Sequence, residues 1–192
     1  MDTRLILVEG CPGSGKSSTA QFLCRQLQRA GHECRWYYEE EQPHPVAATK
    51  GVHHAKGFRE FGRSTLRRWR DFVARARRSK EIHIVESHFF QDVATPLHRV
   101  NVKPTRIAKL VDRMAEFCEP LQPALLYFHQ PDYAAAMRRL LDERGPRIED
   151  LYIRRAETSP YGKRRGLQGF EGLVQSWMDA RQVMEERFGE LD

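Results

Sequence analysis

The sequence predicts a three-layer α/β fold, with a parallel sheet of four to five strands and helices on both faces. Two observations predict it. Short apolar runs alternate with longer segments of helical periodicity, and the first run ends in a Gly-rich turn that opens directly into a helix. Strands separated by helices pair in parallel, because parallel neighbours need a crossover connection and the helix supplies one. At 192 residues the chain has room for one domain with its own core, so residues 1–192 are read as a single domain.

The elements follow in order. Leu5, Ile6, Leu7 and Val8 form the first apolar run, and Ala20, Leu23, Cys24 and Leu27 recur at helical spacing over residues 17–30. Gly31 supplies a helix stop, and the aromatic-rich residues 33–38 read as the second strand, ended by Pro43 and Pro45. Residues 43–63, rich in Pro, Gly and His, read as a loop with room for one short helix. Residues 64–78 carry Leu66, Trp69, Phe72, Val73 and Ala76 on one side of a helix. Ile82 to Val85 are the third strand, closed by Glu86, Ser87 and His88. Residues 105–118 are a helix with Ile107, Leu110, Val111, Met114 and Phe117 inward, and residues 124–128 are the fourth strand. Pro131 and Asp132 suit the start of a helix over 131–143. The chain then turns polar and basic over 144–165 before a final helix over 170–188. Ligands gather at the carboxyl ends of strands in such sheets, so residues 10–17, 39–41, 86–88 and 129–132 are expected along one rim.

Composition narrows the class. The chain is 40% hydrophobic and 30% charged, neither disordered nor fibrous in character, and no apolar run approaches the ~18 residues of a membrane span. With no secretory signal pattern at the start, the reading is a cytoplasmic protein without membrane partners. Cys11, Cys24, Cys34 and Cys118 form no CxxC pair or zinc spacing and are read as reduced thiols. Net charge is +6, concentrated in Arg63, Arg67, Arg68, Arg70, Arg75, Arg77, Arg78 and Lys80. That stripe fits a solvated helix face near an anionic small substrate, and less well a nucleic-acid contact.

The strongest signal is Gly10-Cys11-Pro12-Gly13-Ser14-Gly15-Lys16-Ser17, the spacing G-x-x-x-x-G-K-[ST] between a strand and a helix. Three glycines let successive N–H groups point inward, and the helix adds its positive dipole end, so the loop suits a phosphate. Lys16 would reach the outer phosphates of ATP, and the Ser17 hydroxyl would ligate Mg²⁺. Residues 10–17 together with Ser18 are the expected nucleotide-binding set. No Asn-Lys-x-Asp tetrad for reading guanine is present.

With this loop, Glu86-Ser87-His88-Phe89-Phe90 and Arg138 to Glu149, the chain resembles P-loop kinases of the thymidylate, nucleoside monophosphate and deoxyribonucleoside kinase branch. The resemblance spans residues 3 to about 165 and implies the three-layer P-loop NTPase fold with an Arg-rich lid, here about 144–166. Glu86 matches the acid after the third strand, which would manage Mg²⁺ or position the acceptor, while Ser87 stands where those families place an Arg. The lid implies Arg139, Arg144 and Arg147 as candidates for the transferring phosphate. Residues 39–41 resemble the segment whose carboxylate faces the acceptor hydroxyl in deoxyribonucleoside kinases, and Glu40 is favoured as that base. The implied activity is ATP- and Mg²⁺-dependent transfer to an unidentified acceptor by a monomer or homodimer. A polynucleotide 5′-hydroxyl kinase, an antibiotic-modifying kinase and a regulatory ATPase with a protein partner stay open. Trp36, Tyr37, Tyr38, Phe58, Phe61 and Trp69 are read mainly as core, and none of His44, His53, His54, His88 and His129 as a metal ligand.

Overall fold

The computed structural model describes residues 2–48 and 51–189, and among them four strands form one all-parallel sheet in the order β2-β3-β1-β4. β1 (Leu5–Gly10) lies between β3 (Ile82–Glu86) and β4 (Ala124–Phe128), and β2 (Cys34–Tyr37) extends the sheet beyond β3. The register sets Val8 opposite Glu86 and Gly10 opposite Phe128, which brings the carboxyl ends of these strands to one rim.

Side chains alternate across a strand, and that alternation builds the layers. Ile6, Val8, Ile82, Ile84 and Cys34 pack with Ala20 and Cys24 of α1 (Lys16–Arg29). The opposite set, Leu5, Leu7, Tyr37 and Val85, joins a larger core with Trp69 and Phe72 of α2 (Phe58–Ala76), Met114 of α4 (Pro104–Cys118) and Leu173 of α8 (Gly169–Phe188). Helices therefore cover both faces. Among the described residues no helix is long and apolar enough to cross a membrane.

Three segments depart from the expectation. α2 starts at Phe58, after a 3₁₀ turn (Ala55–Gly57) whose Gly57 N–H donates to His54 Nδ1 at 3.1 Å, so residues 58–63 belong to the helix and not to the loop. Gly62, which reads as a loop residue, is buried within α2 and faces Leu110 of α4, with room there for an ordinary Cβ contact at 3.6 Å. A helix absent from the expectation, α3 (Gln91–Arg99), contains Pro96, which removes the N–H that Asp92's carbonyl would otherwise accept. Buried Val93, Ala94 and Leu97 hold this helix despite the proline.

The polar, basic segment after α5 (Tyr133–Arg144), for which the sequence predicts no helix and the resemblance implies a lid, forms two helices, α6 (Pro146–Thr158) and α7 (Pro160–Arg165). Each carries Pro at its first position, and Ser159 caps α7 by accepting from Gly162 N–H at 2.9 Å. Ala156 is fully buried, and a Cβ at Gly162 would lie 1.9 Å from its carbonyl oxygen, so the corner between the helices is closely packed.

Candidate functional site

The rim is built around the Gly-rich loop between β1 and α1. Gly10 has φ +142°, and a Cβ there would meet the Phe128 carbonyl oxygen at 2.7 Å, so only glycine fits. Gly13 and Gly15 also have positive φ, which curls the backbone of residues 10–17 around the start of α1. Gly13 lies against α5, where an added Cβ would come within 3.1 Å of the Ala136 carbonyl oxygen. Lys16 is buried, and its ammonium donates to the Cys11 carbonyl and to Gln91 Oε1, both at 3.0 Å. Ser14 Oγ is buried without a hydrogen-bond partner among the described residues. Burial pushes the Cys11 thiol up to about 12, so Cys11 is a packing residue with no thiolate character.

Two buried carboxylates stand at the strand ends and point to opposite sides of the sheet. Glu86 follows Ile82 and Ile84 on the α1 face, so it reaches Ser17 at the helix start. The Ser17 hydroxyl donates to Glu86 Oε1, and Trp36 Nε1 donates to Oε2 at 3.1 Å. Glu9 follows Leu5 and Leu7 on the other face and accepts from the N–H groups of Phe89 at 2.7 Å and Gln91 at 3.0 Å, tying β1 to the start of α3.

Burial pushes the Glu9 carboxyl up to about 7, against the opposing pull of those N–H groups and of Lys16. The folded state thus keeps this proton to higher pH than the unfolded chain. Its stabilising contribution is complete below about 4.5 and is lost as pH rises through about 7, by up to about 3 kcal/mol. His88, also raised, acts in the same direction, so Glu9→Gln separates the two. The urea midpoint of the wild type is expected to fall between pH 5 and 8 more steeply than that of the variant. Equal slopes would mean that Glu9 is ionised throughout.

Behind the loop a second polar cluster forms around Gln91. Its amide nitrogen donates to Glu39 Oε1 at 3.0 Å, and Ser87 Oγ donates to Glu39 Oε2 at 2.8 Å. Burial and the neighbouring Asp92 charge raise the Glu39 pKa, while Lys16 opposes them. Burial alone would lower the His88 pKa, but its 2.9 Å contact with Asp92 outweighs that and raises it. His44, whose ring lies tilted at 41° with its centroid 3.9 Å from that of His88, is pushed down to about 3 by burial and by that neighbour, so it stays neutral with Nδ1 accepting from Val46 and Ala47.

Glu39, and not the favoured Glu40, is therefore the acid brought to the loop. The chain turns at residues 39–40 and sends Glu40 outward, where it pairs with Arg144 at 3.6 Å. Arg139 and Arg147 are exposed, Arg139 on the helix that touches Gly13 and Arg147 at the start of α6. Arg138 is held structurally, bonded to Glu149 at 2.7 Å and lying 3.8 Å over the Phe170 ring. His129 pairs with Glu185 and Arg181. The basic stripe divides: Arg68 donates to the His44 carbonyl, while Arg63, Arg67 and Arg70 line a groove with Arg113 of α4.

Beside the loop opens a cavity of about 240 Å³. Pro12, Glu39 and the α3 residues Gln91, Asp92, Thr95 and Arg99 form one wall, and Tyr152 and Arg155 of α6 with Trp177 of α8 form the other. Sequence reasoning passed over Glu9, Gln91, Asp92, Arg99 and Arg155. A charged residue ending an apolar strand just before the Gly-rich loop was the available signal for Glu9, whereas Pro96 concealed the helix that carries Gln91 to Arg99. Among the described residues no group of three or more His, Cys, Asp or Glu side chains is placed to hold a metal. The Ser17 hydroxyl and Glu86 carboxylate are nevertheless a hard oxygen pair of the kind that completes a Mg²⁺ site with nucleotide phosphates. No protein-family model matches the chain, and a search of curated proteins found no match.

Proposed function

We propose that the protein is a P-loop phosphotransferase that moves the γ-phosphoryl group of ATP to a hydroxyl of a small acceptor. The observation that carries this reading is the convergence of three groups at the start of α1: Lys16, the Ser17–Glu86 pair, and Glu39 across Gln91 from Lys16. The curled backbone and the N-terminus of α1 suit the nucleotide phosphates, and the ammonium of Lys16, bonded among the described residues to two neutral oxygens, is free to exchange them for phosphate. Ser17 and Glu86 fit a bound Mg²⁺, which would neutralise phosphate charge.

In the proposed reaction Glu39 accepts the acceptor's hydroxyl proton as its oxygen attacks the γ-phosphorus. The bond from that phosphorus to the β–γ bridging oxygen breaks, and ADP leaves with the electron pair. Little covalent work falls to the protein, so positioning and charge stabilisation provide the acceleration. Arg144, 3.6 Å from Glu40, links the end of α5 to the segment after β2, and Arg155 of the same lid lines the cavity shared with Glu39.

The test is transfer from [γ-³²P]ATP with Mg²⁺ to pooled nucleosides, nucleotides, sugars, hydroxy acids and 5′-hydroxyl oligonucleotides. Label in a small-molecule pool is the expected result. The groove of Arg63, Arg67, Arg70 and Arg113 favours the polynucleotide alternative, for which label would enter the oligonucleotides and fall steeply with salt. Phosphate released only to water would point to a regulatory ATPase and overturn the kinase reading.

A further inference from the structure

The cavity beside the Gly-rich loop has opposite chemistry at its two ends. Near Pro12 it offers carboxylates, Glu39 and Asp92. Farther along α3 it offers cations and donors: Arg99, Arg155 and the indole of Trp177. From Asp92 to Arg99 the helix rises about 10 Å, so the ends are separated by roughly two turns.

None of the described residues that line the cavity at its basic end is an acid. Among the described residues Arg99 makes no hydrogen bond or ion pair, and its contact is the Trp177 ring, 4.9 Å from centroid to guanidinium carbon. Arg155 has no ion pair among the described residues either, and its charge together with burial holds the Arg99 pKa below its usual value, burial being the larger cause. Two neighbouring guanidinium groups repel, and a buried charge is ordinarily paired. Polar atoms of both walls lack partners: Arg99 Nε and Thr95 Oγ1 on α3 and Trp177 Nε1 on α8 are buried without a hydrogen bond among the described residues. Thr95 itself is only 3% exposed. Buried polar atoms are nearly always satisfied, and a set of orphans around one cavity calls for a ligand that accepts hydrogen bonds. At about 240 Å³ the space is smaller than the ~300–1,000 Å³ of pockets for drug-sized ligands.

We propose that the acceptor is a small hydroxylated anion, a hydroxycarboxylate or a phosphate monoester, whose anionic group sits at Arg99 and Arg155 while its hydroxyl faces Glu39. The proposal rests on the kinase reading for the hydroxyl end; the anion end stands on Arg99, Arg155 and the orphaned donors. A guanidinium pair presents forked donors to either oxyanion. An uncharged nucleoside would leave both arginines unpaired.

The two ends are tested separately. In the first measurement, thermal unfolding of the nucleotide-free protein is followed with gluconate, glycerate, ribose 5-phosphate and glycerol 3-phosphate, and with uncharged ribose and deoxycytidine. The anions are expected to raise the melting temperature and the uncharged compounds to leave it unchanged, with the effect abolished in Arg99→Ala and in Arg155→Ala. Because Arg155 is exposed, its variant remains informative if loss of the Arg99–Trp177 contact impairs folding. Comparing the carboxylate and phosphate arms identifies the oxyanion. In the second, steady-state transfer to the anion that binds is measured, and both variants are expected to raise its KM at least tenfold with the KM for ATP unchanged. No stabilisation by any anion, or stabilisation indifferent to both arginines, overturns the proposal. Transfer to deoxycytidine or ribose at rates unaffected by either variant overturns it while leaving the kinase reading intact. Arginine-dependent anion binding without any ATP turnover supports the anion end and removes the kinase reading instead.

Discussion

Lys16→Ala is expected to lower kcat for phosphoryl transfer by about 10³-fold or more while the chain remains folded. The ammonium is buried, and its two hydrogen-bond partners, the Cys11 carbonyl and Gln91 Oε1, are neutral. Transferring phosphate spreads negative charge over its oxygens, and a cation already stripped of water and held in place stabilises that charge without reorganising. Alanine is the best helix former, so the start of α1 survives the change. The two lost hydrogen bonds cost about 1 kcal/mol each against a typical stability of about 5–15 kcal/mol. Circular dichroism and a urea midpoint near that of the wild type would establish the fold, and label transfer would be read beside them. A folded variant with more than a tenth of the wild-type kcat would remove Lys16 from the mechanism.

The parts of this arrangement written in local spacing were readable from sequence. β1, β4 and α1 lie within a residue or two of their expected places, because Leu5 to Val8, residues 124–128 and the run Ala20, Leu23, Cys24, Leu27 each follow one period without interruption. Ser17 and Glu86 were each singled out, one by the loop spacing and the other by the resemblance, but the hydrogen bond that joins them shows only in the fold. The parts that failed depend on partners distant in sequence. α3 carries a proline and draws its stability from burial and from Glu9, 80 and 82 residues away from the N–H groups it accepts. Residues 144–166 look like a loop because Gly145, Pro146 and Pro160 punctuate them, yet two of those residues begin helices. At residues 39–40 the favoured acid was Glu40, but the chain turns there and presents Glu39 to the loop instead. Which direction faces inward is settled by Ser87 and Gln91, whose side chains bind Glu39.

Gln91 joins the two halves of the proposed site. Its side-chain oxygen accepts from Lys16 and its nitrogen donates to Glu39, while its backbone N–H is held by Glu9. A nucleotide phosphate drawing Lys16 away would free the Gln91 oxygen without disturbing the bond to Glu39. The acid is thus kept in position whether or not Lys16 is engaged, which is the preorganisation a base near the acceptor hydroxyl requires.

Glu39→Gln is expected to lower kcat by about 10²- to 10³-fold with little change in the KM for ATP, the range typical of a lost general base. The substitution keeps the shape and one acceptor oxygen, so the contact with either Ser87 or Gln91 survives; what disappears is the capacity to take the acceptor's proton. Glu40→Gln is the matched control and should change kcat less than about twofold, because Glu40 is exposed and its ion pair with Arg144 spans 3.6 Å. The pH profile adds a readout that a merely structural role would not move. A base must be ionised to act, and burial with the Asp92 charge raises the Glu39 pKa above its usual value of 4.5. Wild-type kcat should therefore climb as pH rises through that elevated pKa, and the limb should vanish in Glu39→Gln. A larger loss in Glu40→Gln would transfer the role of base to Glu40, whereas a Glu39→Gln variant that keeps the limb would make Asp92, which borders the same cavity, the next carboxylate to replace.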